Sequence, residues 1–262
     1  MIETNLILVF AGLCAGVLAG LLGVGGGLVM VPVLTYLYAG AFGGVANAMP
    51  YALGTSLATI VFTGCVSAYS HHKRGAVTWT VVGTLVPGLV VGTLAAAVLA
   101  SRVSGEALRI FFGLFVIVAA WQMWSNKRPH ASRTLPTRNG YNVAGTMIGV
   151  VSGLVGIGGG TLTVPYLIWH GMQAQRAVAI SAACGIAIAI AGTVGYAWSG
   201  PGITTTAYTT GFIIWPAVAM LAVGSMAMAP VGAALAHRLP AQRLKRMFAV
   251  FLTVIAIRML LS

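Results

Sequence analysis

The sequence predicts an all-α, polytopic transmembrane bundle of two inverted repeats, about five membrane segments each, with a short broken helix after each glycine-rich motif. Three observations predict it. The composition leaves no material for a solvated surface, the chain repeats itself, and its basic residues are unevenly distributed.

Hydrophobic residues make up 59% of the 262 and charged residues only 6%, which excludes soluble fold classes. Apolar runs of about 20 residues recur, the length a helix needs to cross ~30 Å of hydrocarbon. The start, Met1 to Asn5, lacks a basic stretch before the first apolar run, so the first segment is expected to be retained rather than cleaved. The net charge of +12 does not indicate nucleic acid, because the basic residues sit in short connections and not on a soluble basic face. Cys14, Cys65 and Cys184 all lie inside apolar runs, where a small buried hydrophobe is the expected role.

An offset of 133 residues aligns GVLAGLLGVGGGLVMVPVL, residues 16–34, with GVVSGLVGIGGGTLTVPYL, residues 149–167, with 11 of 19 positions identical. Further on, Ala52-Leu-Gly-Thr-Ser56 parallels Ala177-Val-Ala-Ile-Ser181. The apolar segments of the first half read as 5–23, 28–42, 51–70, 77–100 and 106–124. Those of the second read as 141–157, 161–171, 177–198, 207–236 and 241–261. The domains are therefore a first repeat, 1–124, a basic linker, 125–140, and a second repeat, 141–262.

Charge decides the topology. If each short piece completes a crossing, eleven of the 14 Lys and Arg residues share one side, and only Arg102, Arg109 and Arg258 lie on the other. Four crossings per half would split them almost evenly. The positive-inside rule thus favours five plus five, which inverts the second half, places both termini outside and puts the linker in the cytoplasm.

The chemistry is expected at Gly23-Val-Gly-Gly-Gly27 and Gly156-Ile-Gly-Gly-Gly160, each followed by a short helix containing a proline, Pro32 or Pro165. At roughly 1 kcal/mol each relative to alanine, clustered glycines mark a helix break. At membrane depth such a break is tolerated only inside protein or along a cavity. The helix that follows offers unpaired N–H groups and a partial positive charge, which suit an anion. The candidate binding residues are Gly25, Gly26, Gly27, Gly158, Gly159 and Gly160, with hydroxyls from Thr55, Ser56, Thr161, Thr163 and Ser181. Serine and threonine in membrane helices often bond their own preceding carbonyls instead. Arg176 is placed to attract an anion at the cytoplasmic mouth, or else snorkels to the interface.

The only acidic residues are Glu3 and Glu106, both at segment ends, so no carboxylate is available within the membrane for a cation pump. No catalytic, metal or cofactor motif stands out, and an intramembrane hydrolase built on Ser56 or Ser181 would lack a base within the apolar runs. A carrier and a passive anion channel both remain open. The expected partners are a small anion and the lipid bilayer, not nucleic acid, and a homo-oligomer is compatible with the sequence.

With GVGGGLVMVP, ALGTS, GIGGGTLTVP and RAVAIS in place, the chain resembles the TauE/SafE family of sulfite and organosulfonate exporters over residues 6–261. The resemblance implies a bacterial inner-membrane protein that carries sulfite, sulfoacetate or a similar sulfur-containing anion outward. The second half departs from the first at Ala179 and Ile180, where Gly54 and Thr55 stand, so equal hydroxyl donors from both halves are not expected.

Overall fold

The computed structural model describes residues 2–22, 25–125, 137–200, 208–235 and 241–261. The first half contains α1 (Ile2–Leu22), α2 (Gly27–Tyr38), α3 (Val45–His72), α4 (Trp79–Arg102) and α5 (Gly105–Ser125). The second contains α6 (Arg138–Val155), α7 (Gly160–Trp169), α8 (Ala174–Ser199), α9 (Trp215–Leu235) and α10 (Ala241–Leu261). Each half therefore runs long, short, long, long, long. Among the described residues six helices, α1, α3, α4, α5, α8 and α9, are long and apolar enough to cross a membrane. Their outward faces carry large apolar side chains such as Phe10, Val91, Leu114, Val118 and Val194. Lipid is the solvent those faces fit. The protein is an all-α, multi-pass membrane bundle.

The short helices double back along their predecessors. An added Cβ on Gly26 would lie 2.7 Å from the carbonyl oxygen of Ala15, so α2 starts beside the middle of α1. It then runs against α3, with Thr35 Oγ1 3.5 Å from Met49 Sδ. In the second half Gly159 sits beside Ser152 of α6, and the Tyr166 ring of α7 meets that of Tyr141 at 6.4 Å.

Small residues set the packing between halves. Gly12 and Gly16 of α1 press on the backbone of α9 at Leu221 and Ser225. Gly88 and Gly92 of α4 press on α6 at Asn142 and Thr146. Close backbone approach of this kind is how membrane helices associate without a hydrophobic driving force between them. The order of contacts fixes direction. α1 runs parallel to α9, and α4 parallel to α6. Thr55 meets Ile214 and Thr63 meets Ser225, so α3 also runs parallel to α9. Gly192 approaches Thr93 and Gly195 approaches Ala97, so α8 runs parallel to α4. By contrast, Gly54, Leu57 and Gly64 of α3 meet Tyr196, Gly192 and Ile186 of α8, so these two run antiparallel.

One end of the bundle is marked by cations. Arg109 pairs with Glu106 and donates to the carbonyl of Met259, joining the start of α5 to the end of α10. Arg258 lies 5.3 Å from the Tyr36 ring at the end of α2, and Gly105 abuts Ala46 at the start of α3.

Two expectations need amendment. The apolar segment expected over 207–236 is not one helix: it opens with an antiparallel ribbon, β1 (Thr209–Thr210) and β2 (Ile213–Ile214), before α9 begins. The run Thr209-Thr-Gly-Phe-Ile-Ile214 combines β-branched residues with Gly211 at φ 56°, which favours a tight reversal over a helical turn. The segment expected from residue 51 begins instead at Val45, with Pro50 inside α3. Near the helix start, Pro50 withholds a donor only from the Ala46 carbonyl, four residues earlier. The linker residues Lys127, Arg128 and Arg133, and Gly23 of the first motif, lie outside the described residues.

Candidate functional site

The two glycine breaks meet. A Cβ added to Gly25 would lie 3.2 Å from Gly158 N, and one added to Gly27 would run into the carbonyl oxygen of Gly156. Gly26 and Gly159 cap α2 and α7 with the same left-handed backbone, φ 78° in both. Only glycine holds that conformation without strain, so the sequence cluster is a backbone requirement at these two positions.

Each capping carbonyl receives the first turn's bonds: Val29 and Met30 N–H donate to Gly26, and Leu162 and Thr163 N–H donate to Gly159. The amides of Gly27 and Leu28, and of Gly160 and Thr161, precede those bonds and form the positive ends of two short helices. At the junction lies a narrow cavity lined by Gly25, Gly158, Gly64, Ser67, Ala182 and Gly185, with Ala19 and Ile60 closing its sides. The Ser67 hydroxyl is buried there without a hydrogen-bond partner among the described residues.

The cavity lies beside the second half of α3 and the first half of α8, the halves that lead to His72, Lys73, Arg74 and Arg176. Aromatic rings fill the opposite end of the same two helices. Phe42 stacks on Tyr51 at 3.9 Å, and Tyr51 meets the edge of Phe212 at 5.1 Å. The fully buried Tyr196 completes the plug, its hydroxyl donating to the carbonyl of Gly153 at 2.9 Å.

The expected hydroxyl residues divide by role. Ser56 donates to the carbonyl of Gly156 at 2.8 Å, tying α3 to the second glycine break, so its proton is committed to structure. Thr55 accepts from Ile214 N–H at 3.0 Å and anchors the ribbon. Ser181 is fully buried in α8. Thr161 and Thr163 in α7 carry buried hydroxyl oxygens with no partner among the described residues. Arg176 stands exposed in the first turn of α8, outside the cavity lining.

The sequence reading missed Ser67 and Ser152. Ser152 occupies the repeat position of Ala19, so its hydroxyl is one of the few changes inside the duplicated stretch, and that divergence was a usable signal. Ser67 carried none. Chemically, the junction can coordinate a small anion through amide and hydroxyl donors. Both acidic residues, Glu3 and Glu106, lie in helix first turns outside the junction, Glu106 half-exposed and held by Arg109.

The family model described as sulfite exporter TauE/SafE matches residues 8–259. A "probable membrane transporter protein" of Haemophilus influenzae is 37% identical over 259 residues, covering 98% of each chain. A protein of the same description from Methanocaldococcus jannaschii is 26% identical over 259 residues, covering 97% of this chain and 95% of its own. The Bacillus subtilis "probable membrane transporter protein" YdhB is 28% identical over 246 residues, covering 91% and 92%. No solved structure matches the chain. Family match and relatives alike span nearly the whole bundle, glycine breaks included, and this chain belongs to the TauE/SafE sulfite exporter family of membrane transporters.

Proposed function

We propose that the protein exports a small sulfur-containing anion, such as sulfite or an organosulfonate, across a bacterial inner membrane by alternating access of two inverted repeats. The observation that carries this reading is the meeting of the two glycine breaks, which turns the positive ends of α2 and α7 toward one junction inside the bundle.

Helix direction supports the inversion. With five crossings per half, α3 and α8 oppose each other, whereas α3 and α9, and α4 and α8, agree. Four crossings per half would reverse all three relations. The same arrangement brings Arg109 and Arg258 to one end, the sparsely basic side, which is then external. In that frame the termini are outside, the linker 125–140 is cytoplasmic, and ten segments cross, α2 and α7 doing so with their glycine-rich approaches.

The cavity then lies on the cytoplasmic half of α3 and α8, and the aromatic cluster lies on the external side. Basic residues at the cytoplasmic mouth, including Arg176, raise the local anion concentration. Both breaks come from one chain, so a homo-oligomer is compatible with the site without being required by it.

Flux of radiolabelled sulfite in proteoliposomes tests the reading. Ala182→Leu, which fills the cavity from α8, should abolish uptake while the protein still inserts. Unchanged flux in this variant would exclude the junction as the path. Reporter fusions that place the C-terminus in the cytoplasm would overturn the inverted topology.

A further inference from the structure

The two hairpins α1–α2 and α6–α7 share a backbone, yet their polar content differs. Tyr141, Asn142, Ser152, Thr161 and Thr163, all on α6 or α7, carry buried side-chain oxygens with no hydrogen-bond partner among the described residues. Their repeat equivalents in the first half, at the offset of 133, are Leu8, Val9, Ala19, Leu28 and Met30. Unpaired buried polar groups each cost on the order of 1–3 kcal/mol, so four hydroxyls and the Asn142 amide oxygen on one hairpin need a reason that packing does not supply.

Two of them converge. Ser152 Oγ and Thr163 Oγ1 both lie 3.4 Å from the point a Cβ would occupy on Gly159, and both residues are fully buried. The nearest atom to that point is Ile188 Cδ1, at 2.5 Å, the free end of a flexible side chain that must swing aside for a ligand to enter. Gly159 caps α7, whose leading amides supply a positive end at the same place.

We infer that this position, opened when Ile188 moves aside, binds an oxyanion, with Ser152 and Thr163 donating hydroxyl protons and the first amides of α7 completing the shell. The first repeat carries no donor side chain at the equivalent positions. An anion fits better than a cation, because hydroxyls serve either but a helix amino end repels positive charge. The class of ligand is a small oxyanion head, SO3-like, able to accept several hydrogen bonds at once. This inference rests on the proposed transport of a sulfur-containing anion and specifies which half holds it.

The experiment is titration of the purified, detergent-solubilised protein with sulfite and sulfoacetate, following ligand-induced thermal stabilisation in sodium-free and sodium-containing buffer. Ser152→Ala and Thr163→Val should each weaken binding about tenfold or more, the loss expected for a hydrogen bond to a charged group. Thr163→Ser, which restores a hydroxyl, should bind nearly as the native protein, and Met30→Val in the first half should leave affinity unchanged. Native-like affinity in both Ser152→Ala and Thr163→Val overturns this site while leaving the transport reading intact. Loss of a sodium effect with anion affinity preserved assigns the hollow to a cation and also overturns it. No response of the native protein to either anion removes both the site and the reading beneath it.

Discussion

The first glycine break and the second have the same backbone and different chemistry. Gly26 and Gly159 share φ 78°, each caps a short helix, and each helix carries a proline at its sixth position. Around Gly26 the nearest atoms are the backbone carbonyl and the Cβ of Ala15. Around Gly159 they are two hydroxyls and the movable end of Ile188. The frame occurs twice in the chain, and one copy is polar where the other is apolar. A membrane protein can tolerate unpaired polar groups where a ligand or water will meet them, and the second break is where they have accumulated.

Variants can break this comparison at several levels. The largest effect is expected for Gly27→Leu, whose side chain must pass through the Gly156 carbonyl. The junction cannot close around it, and size-exclusion chromatography in detergent should show no monodisperse protein.

Alanine at the two caps should then separate the halves. Both substitutions force a left-handed backbone on a residue with a Cβ, at about 1–2 kcal/mol. Gly26→Ala also meets fixed backbone at Ala15, whereas Gly159→Ala displaces only Ile188 Cδ1. Thermal unfolding should therefore fall further for Gly26→Ala, and equal shifts would mean that the two walls are equally yielding.

Ser56→Ala should cost about 1 kcal/mol by leaving the Gly156 carbonyl without its donor. Flux should survive at reduced stability, because this hydroxyl positions the break and does not face the cavity. Thr55→Val should have a similar or smaller effect on unfolding, through loss of the acceptor for Ile214 N–H. If Thr55→Val instead abolished transport with stability preserved, the ribbon would be part of the gate.

Much of this architecture was legible in advance, for particular reasons. The offset of 133 identified the breaks because three consecutive glycines are too costly in a helix to persist as packing alone. Helix order followed from apolar run lengths. The ribbon at 209–214 was hidden because its isoleucines and phenylalanine read as the beginning of an apolar helix. Which hydroxyls would be spent on structure was equally hidden. Ser56 and Thr55 are neighbours in sequence, but their bonds reach Gly156 and Ile214, about a hundred or more residues away. Ser67 sits among ordinary small residues, and only the fold brings it to the cavity.

The most direct test of one shared site between two halves is counterflow. Proteoliposomes preloaded with unlabelled sulfite should take up labelled sulfite faster than empty ones, with saturation, and Ala182→Leu should abolish both. Uptake that rises linearly with concentration and ignores the internal load would contradict the account, since it would describe an open pore and not a carrier closed at one end by Phe42, Tyr51 and Phe212.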